Sequence, residues 1–187
     1  MRYLSYSADD YIEKNDAKIF RDEFDLKPNC QSYLTYYEGT AIGSIRSCTY
    51  QPGKEYDIPV FDVFINEIKD SIGLADTIIE ANKFVVDPAF RKRGGAQARF
   101  SIYKNITDSI DDNDAKYLVA GVRAEHVKFY RLLNFEQASE ERAYPHVNFK
   151  TVLMICKDVQ AFKNFIDQNS AFKKHQLTRQ RRSGRGA

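Results

Sequence analysis

Phe84-Val85-Val86-Asp87-Pro88-Ala89-Phe90-Arg91-Lys92-Arg93-Gly94-Gly95-Ala96 is the stretch on which the fold turns. The residues leading into it, TIIEANKFVV (77–86), read as a long, mostly buried strand. Asp87-Pro88 ends that strand, because proline has no N–H for the ladder and restricts the residue before it. Three basic residues follow. Two glycines and an alanine then open a run over 96–110 that reads as a helix. A helix start exposes backbone N–H groups and the positive end of its dipole. Small residues let an anion approach the backbone, Arg91 and Arg93 add charge, and Arg99 falls one turn on. This is what binding a pyrophosphate requires. The same residues also fit a solvated basic loop, and Lys92 reads as solvated in either case.

The elements around this turn follow from periodicity. YLSYS (3–7) alternates as a short strand does, and a rough apolar stripe to Phe24 reads as a helix. Residues 31–37 and 40–50 are β-rich runs around Glu38-Gly39, a hairpin signal. Residues 58–72 place Phe61, Phe64, Ile65 and Ile68 at helical spacing. Beyond the helix at 96–110 come a strand at 116–122, a short helix at 125–133, strands at 135–142 and 147–156, and a closing helix at 157–172. The fold class is α/β, a mixed sheet with helices packed on it.

Composition narrows the field. The 187 residues, 43% apolar, make one domain over 1–172 with a sizeable core. No apolar run approaches the roughly 20 residues of a membrane span. The N-terminus lacks the basic stretch and apolar core of a signal peptide. The net charge of +2 hides an asymmetry. Residues 171–187 hold six basic residues and no acid, leaving a body with 22 basic and 26 acidic side chains. The tail, 173–187, reads as disordered. Its charges carry no interleaved aromatics, so nucleic acid is not the expected partner. Cys30, Cys48 and Cys156 lie far apart without a CxxC, and the three histidines lack metal-ligand spacing. Neither a disulfide framework nor a metal site is expected, and the reading is a protein of the reducing cytoplasm.

Arg91-Lys92-Arg93-Gly94-Gly95-Ala96 resembles the R-x-x-G-x-(G/A) acyl-CoA signature of the GNAT acyltransferase superfamily. His126-Val127-Lys128-Phe129-Tyr130-Arg131-Leu132-Leu133-Asn134-Phe135 resembles its second motif, an aromatic helix closed by a tight turn. Asn134 stands in the place of the usual glycine and tolerates the left-handed conformation. Ala124 replaces an asparagine that many relatives place there. The resemblance spans roughly residues 1–156. It implies a splayed, mostly antiparallel sheet flanked by helices, with an extra C-terminal helix and basic tail. It also implies an acyl-CoA or acyl-ACP donor whose pantetheine arm lies between two diverging parallel strands.

Within the superfamily, Glu80-Ala81-Asn82-Lys83-Phe84-Val85-Val86 and Gly43-Ser44-Ile45-Arg46 resemble paired strands of acyl-homoserine-lactone synthases and N-acyl amino acid synthases. Ile58-Pro59-Val60 leans toward the amino acid branch. Lys83 stands where these families have arginine, which turns a bidentate contact into a point-charge contact. The acidic pair of the autoinducer synthases has Asp57 and Asp62 as its nearest counterparts.

Amide formation from a thioester needs a base, oxyanion donors and an acid for the leaving thiolate. The resemblance implies Glu80 as base, with an ion pair to Lys83 or Arg46 as its structural alternative. It implies backbone N–H groups at Phe84, Val85 and Val86, exposed by a bulge, as oxyanion donors. It implies Tyr130 as general acid, or else as a core aromatic. Strand alternation puts Glu80, Asn82 and Phe84 on one face. Arg46, Lys83 and His126 are candidate acceptor contacts. Arg91, Arg93, Gly94, Gly95, Ala96 and Arg99 would hold the donor's phosphates or dock an acidic carrier protein. The helix at 58–72 lines an acyl tunnel or is plain core. The leading expectation is an N-acyltransferase acting on a small-molecule amine, such as an amino acid. Its rivals are a short-chain acetyltransferase and a non-catalytic acyl-CoA or nucleic-acid-binding domain.

Overall fold

Cys30–Tyr37 (β1) and Thr40–Tyr50 (β2) form an antiparallel hairpin. Glu38 and Gly39 both take positive φ, 49° and 76°, as a two-residue turn matched to strand twist requires. The structure, a computed structural model, describes residues 1–92, 95–170 and 177–182, with 91–92, 95–97 and 177–182 as backbone alone. Ile78–Val86 (β3) runs antiparallel to β2. Tyr117–Val122 (β4) lies parallel to β3, paired from Ile78–Tyr117 to Glu80–Val119 only. Beyond that point no β3–β4 pairing continues. Glu136–Gln137 (β5), Arg142–Ala143 (β6) and Lys150–Cys156 (β7) complete the other side, where β7 is antiparallel to β4. Leu177–Arg182 (β8) pairs antiparallel with β1. Among the described residues the sheet order is β5–β7–β4–β3–β2–β1–β8. This is the splayed, mostly antiparallel sheet that the sequence led one to expect.

Helices cover both faces. Arg2–Ala8 (α1) is followed by Phe61–Ile72 (α2), Pro88–Lys92 (α3), Gly95–Asn113 (α4), Val127–Leu132 (α5) and Val159–Asn169 (α6). Ala98, Ile102, Tyr103, Ile106 and Ile110 form the buried stripe of α4 and meet Phe162 and Ile166 of α6. Alternation along β4 and β7 divides the core. Leu118, Ala120, Val152 and Met154 face α4, while Val119, Leu153 and Ile155 face α2 with Phe61, Phe64 and Ile68. Each such large apolar side chain contributes about 2 kcal/mol on burial.

Several expectations need correction. Residues 3–7 are helical, within α1, because five alternating residues do not fix a period. The helix expected up to Phe24 is absent apart from a 3-10 turn at Glu23–Leu26. Asp10 and Lys18 take left-handed φ, and the Asn15 side chain bonds both the N–H and the carbonyl of Ile19. Those local bonds compete with helix. The strand expected over 135–142 survives as β5 and β6 only, because Ser139 Oγ takes the Leu153 N–H at 2.8 Å. The basic turn begins as α3, where Pro88 follows Asp87 and Asp87 Oδ1 accepts the Ala89 N–H. Part of the tail expected to be disordered, Leu177–Arg182, is the edge strand β8. Finally, Cys30 and Cys48 are joined by a disulfide. The hairpin register sets them opposite each other, which their separation of 18 residues conceals.

Gly43 sits where β2 packs tightly against β3 and α4. A Cβ there would collide with Ile102 and with the carbonyl oxygen of Val85. Gly43→Ala should therefore cost about 2 kcal/mol, read as a Tm lowered by several degrees in a thermal melt. An unchanged Tm would contradict this packing.

Candidate active site

The site forms where β3 leaves β4. Opposite Ile45 of β2, β3 carries two residues, and the register slips between Ser44–Val85 and Arg46–Asn82. Lys83 takes φ of 49° at this bulge, a left-handed conformation that costs an L-residue about 1–2 kcal/mol. The bulge breaks the expected alternation. Glu80 and Asn82 keep the Arg46 side, but Phe84 turns to the α4 side and stacks on Tyr103 at 5.0 Å between ring centroids.

A cavity of about 240 Å³ opens beside the bulge. Asn82, Lys83, Phe84, Val85 and Val86 form one wall, and Gly121 and Val122 of β4 face them. Arg99, His126 and Tyr130 close the α4 and α5 side, and Tyr6 of α1 joins the lining. Tyr130 is positioned by the turn behind it. Asn134 takes φ of 65°, as its place in the motif required, and Phe135 N–H returns to the Tyr130 carbonyl at 3.1 Å. Burial pushes the Tyr130 phenol up to about 12, against a hydrogen bond received from Tyr103 at 2.6 Å. It is protonated at neutral pH and able to donate.

Glu80 lies behind this wall, wholly buried. Its Oε2 accepts the Val60 N–H at 2.8 Å, while Oε1 has no hydrogen-bond partner. Burial pushes its carboxyl up to about 7, against the pull of Asn82, Val60 and Arg46. Asn82 connects it to the cavity. Arg46, only 1% exposed, donates from Nε to Asn82 Oδ1 at 2.7 Å and from both terminal nitrogens to Asp22, at 2.5 and 3.1 Å. Lys83 reaches Asp22 at 2.8 Å, and Arg2 reaches Asp25 at 2.6 Å. Burial alone would raise Asp22, but Arg46 and Lys83 hold it well below the carboxylate range. Burial, then Arg46, lowers Lys83. His126 is lowered by burial and then by Arg123, whose Nη2 lies 2.7 Å from His126 Nε2.

The structure thus gathers Lys83, Phe84, Val85, Val86, Arg99, His126 and Tyr130 around one cavity. Glu80 stands behind it, and Arg46 is engaged by Asp22 rather than open to a ligand. Arg93 and Gly94 lie outside the described residues, as do the side chains of Arg91, Lys92 and Ala96; Gly95 begins α4, the expected helix start. The α2 helix lines no part of this cavity; Phe61, Phe64 and Ile68 are core. Asp57 and Asp62 stand apart from the cavity too. Sequence reasoning missed Asp22, Asp25, Arg123 and Tyr103. Among the described residues no cluster of His, Cys, Asp or Glu suits a metal, and no helix is long and apolar enough to cross a membrane.

A sheet parted beside a bulge, a helix start after the parted strand and a tyrosine facing the gap fit the GNAT fold, and the family model makes the chain an N-acyltransferase. More narrowly, the chain belongs to the family of the N-acyl amino acid synthase FeeM, whose model matches residues 1–157. Among solved structures it is similar to FeeM, an N-acyl amino acid synthase from uncultured soil microbes. That likeness has a TM-score of 0.66 and 17% identity, covering 91% of this chain and 85% of that one. It is also similar to the CoA-dependent acyl-homoserine lactone synthase MesI, with TM-score 0.65, 15% identity and 92% and 85% coverage. The AHL synthase LasI follows with TM-score 0.60, 14% identity and 87% and 84% coverage. Among curated proteins none matches the sequence.

Asp22 neutralises a buried guanidinium. Asp22→Asn should cost about 3 kcal/mol at pH 7, measured by urea unfolding. The penalty should shrink as pH falls below the ordinary aspartate value of 3.8, where the unfolded wild type takes up a proton that folded Asp22 does not. A penalty independent of pH would contradict the ion pair.

Proposed function

We propose that this enzyme joins an acyl group to the amino group of an amino acid. The observation that carries the reading is the cavity between the parted strands, with bulge backbone on one wall and Tyr130 on the other. In this reading the thioester carbonyl lies against the Phe84–Val86 backbone, whose N–H groups stabilise the oxyanion. Glu80 takes the proton of the acceptor amine through a water beside Asn82. Its unpartnered Oε1 and its value near 7 suit a base working at neutral pH. Tyr130 protonates the departing thiolate. Arg91, Arg93, Arg99 and the α4 start hold the donor's phosphates, or meet an acyl carrier protein. Arg46 and Lys83 both pair with Asp22, so in this reading an acceptor carboxylate takes the place of Asp22 beside Lys83 at the cavity wall. His126, kept neutral beside Arg123, contacts the acceptor by hydrogen bonding.

In this reading the enzyme works in the cytoplasm, whose reducing poise would open the Cys30–Cys48 disulfide to two thiols. Residues 1–172 form the catalytic domain, and 173–187 take no part in chemistry. A short-chain acetyltransferase is the second reading, favoured by Phe61, Phe64 and Ile68 of α2 being core rather than cavity lining.

Mass spectrometry of lipid extracts after overexpression decides between them. Accumulated N-acyl amino acids are the expected result; acetylated small amines alone would replace the first reading with the second. Glu80→Gln should lower kcat by about 100-fold or more. Wild-type kcat should rise with pH through about 7 as Glu80 loses its proton, and the variant should lack that rise. Unchanged turnover would remove Glu80 as the base.

A further inference from the structure

Tyr103 stands directly behind Tyr130. Tyr130 lines the cavity and Tyr103 does not. Tyr103 is fully buried on α4, and its hydroxyl donates to the Tyr130 hydroxyl at 2.6 Å. A phenol has one hydrogen to give and lone pairs to receive. The Tyr103 hydrogen is committed to the Tyr130 oxygen. The Tyr130 hydrogen must therefore point elsewhere, and the open side of that oxygen is the cavity.

We infer that Tyr103 is a positioning residue that aims the Tyr130 proton at the leaving sulfur and holds the phenolate left behind. This rests on the proposed role of Tyr130 as general acid. In the step concerned, the carbon–sulfur bond of the tetrahedral intermediate breaks and sulfur takes the electron pair. The proton passes from the Tyr130 oxygen to sulfur, giving a neutral thiol. The resulting phenolate accepts a charge-assisted hydrogen bond from Tyr103 and is reprotonated, through water, by the proton that Glu80 took from the amine.

The packing around Tyr103 suits this role. Phe84 stacks on its ring, and Phe162 and Phe129 stand at 6.1 Å, so the hydroxyl is held in place. Phe84 is also a bulge residue. The bulge backbone and the ring that steadies Tyr103 thus belong to one side chain and its own main chain. The acidities fall in the required order. Burial raises Tyr130 but the bond from Tyr103 pulls it back, whereas burial and then Tyr130 drive Tyr103 well above the ordinary phenol value. Of the other groups facing the pair, Tyr6 of α1 raises Tyr130 and Arg99 of α4 lowers Tyr103. Tyr130 is the phenol that ionises.

Tyr103→Phe keeps the ring and removes the donor. Thiol release is followed at saturating acyl-CoA and acceptor amino acids. The variant's kcat should fall about tenfold or more, while its KM for acyl-CoA stays within about twofold of wild type. An acyl thioester of a more acidic aryl thiol, which leaves without a proton, should restore the variant to wild-type turnover. In a Tyr130→Phe background the second substitution should change nothing further. An equal loss on both thioesters, or a loss that multiplies in the double variant, would overturn the inference. A loss in Tyr130→Phe beside wild-type turnover in Tyr103→Phe overturns the inference alone. Wild-type turnover in Tyr130→Phe overturns the general-acid reading and the inference with it.

Discussion

Everything in this molecule follows from the point at which β3 stops pairing with β4. The parallel ladder lasts three residue pairs and ends at Glu80–Val119. Lys83, in a left-handed conformation, then turns the strand and slips its register against β2. Had the ladder continued, backbone bonds would fill the space the cavity occupies. The bulge also rotates Phe84 onto Tyr103, so the strand, α4 and α5 are fixed together at the place where chemistry would occur.

The bulge carries a cation, and that charge needs company. Burying Arg46 and Lys83 without partners would be prohibitive. Asp22 and Asp25 supply the counter-charge, drawn from the irregular chain between α1 and β1. That segment gives up regular secondary structure to reach the bulge. It ties Asp25 to Arg2 of α1, the helix whose Tyr6 lines the cavity. The N-terminal part of the chain is thus a cover held by ion pairs rather than by a ladder. Glu80 stands at the edge of this balance, and its burial outweighs the pull of Asn82, Val60 and Arg46 and keeps its affinity for a proton high.

The central elements were legible because they are periodic and locally punctuated. Glu38-Gly39 announces its hairpin, Asp87-Pro88 its strand end, and Asn134 its tight turn. The resemblance of residues 80–96 and 126–135 to known motifs supplied the splay and the bulge, which periodicity cannot express. What stayed hidden is non-local. Asp22 meets Arg46 across 24 residues and Tyr103 meets Tyr130 across 27. The pairing of Cys30 with Cys48 depends on register. The N-terminal segment misled because its apolar residues serve a surface built by other elements. Arg46 looked available to a ligand because its acidic partner was invisible until the chain was folded.

The account stands most directly on where the donor's reacting atoms lie. A crystal structure with a non-reactive thioether analogue of acyl-CoA would locate them. The expected result sets the acyl oxygen within hydrogen-bond distance of backbone N–H groups at Phe84–Val86, with sulfur directed at the Tyr130 hydroxyl. An analogue bound with its acyl group away from the parted strands, or with sulfur remote from Tyr130, would contradict it.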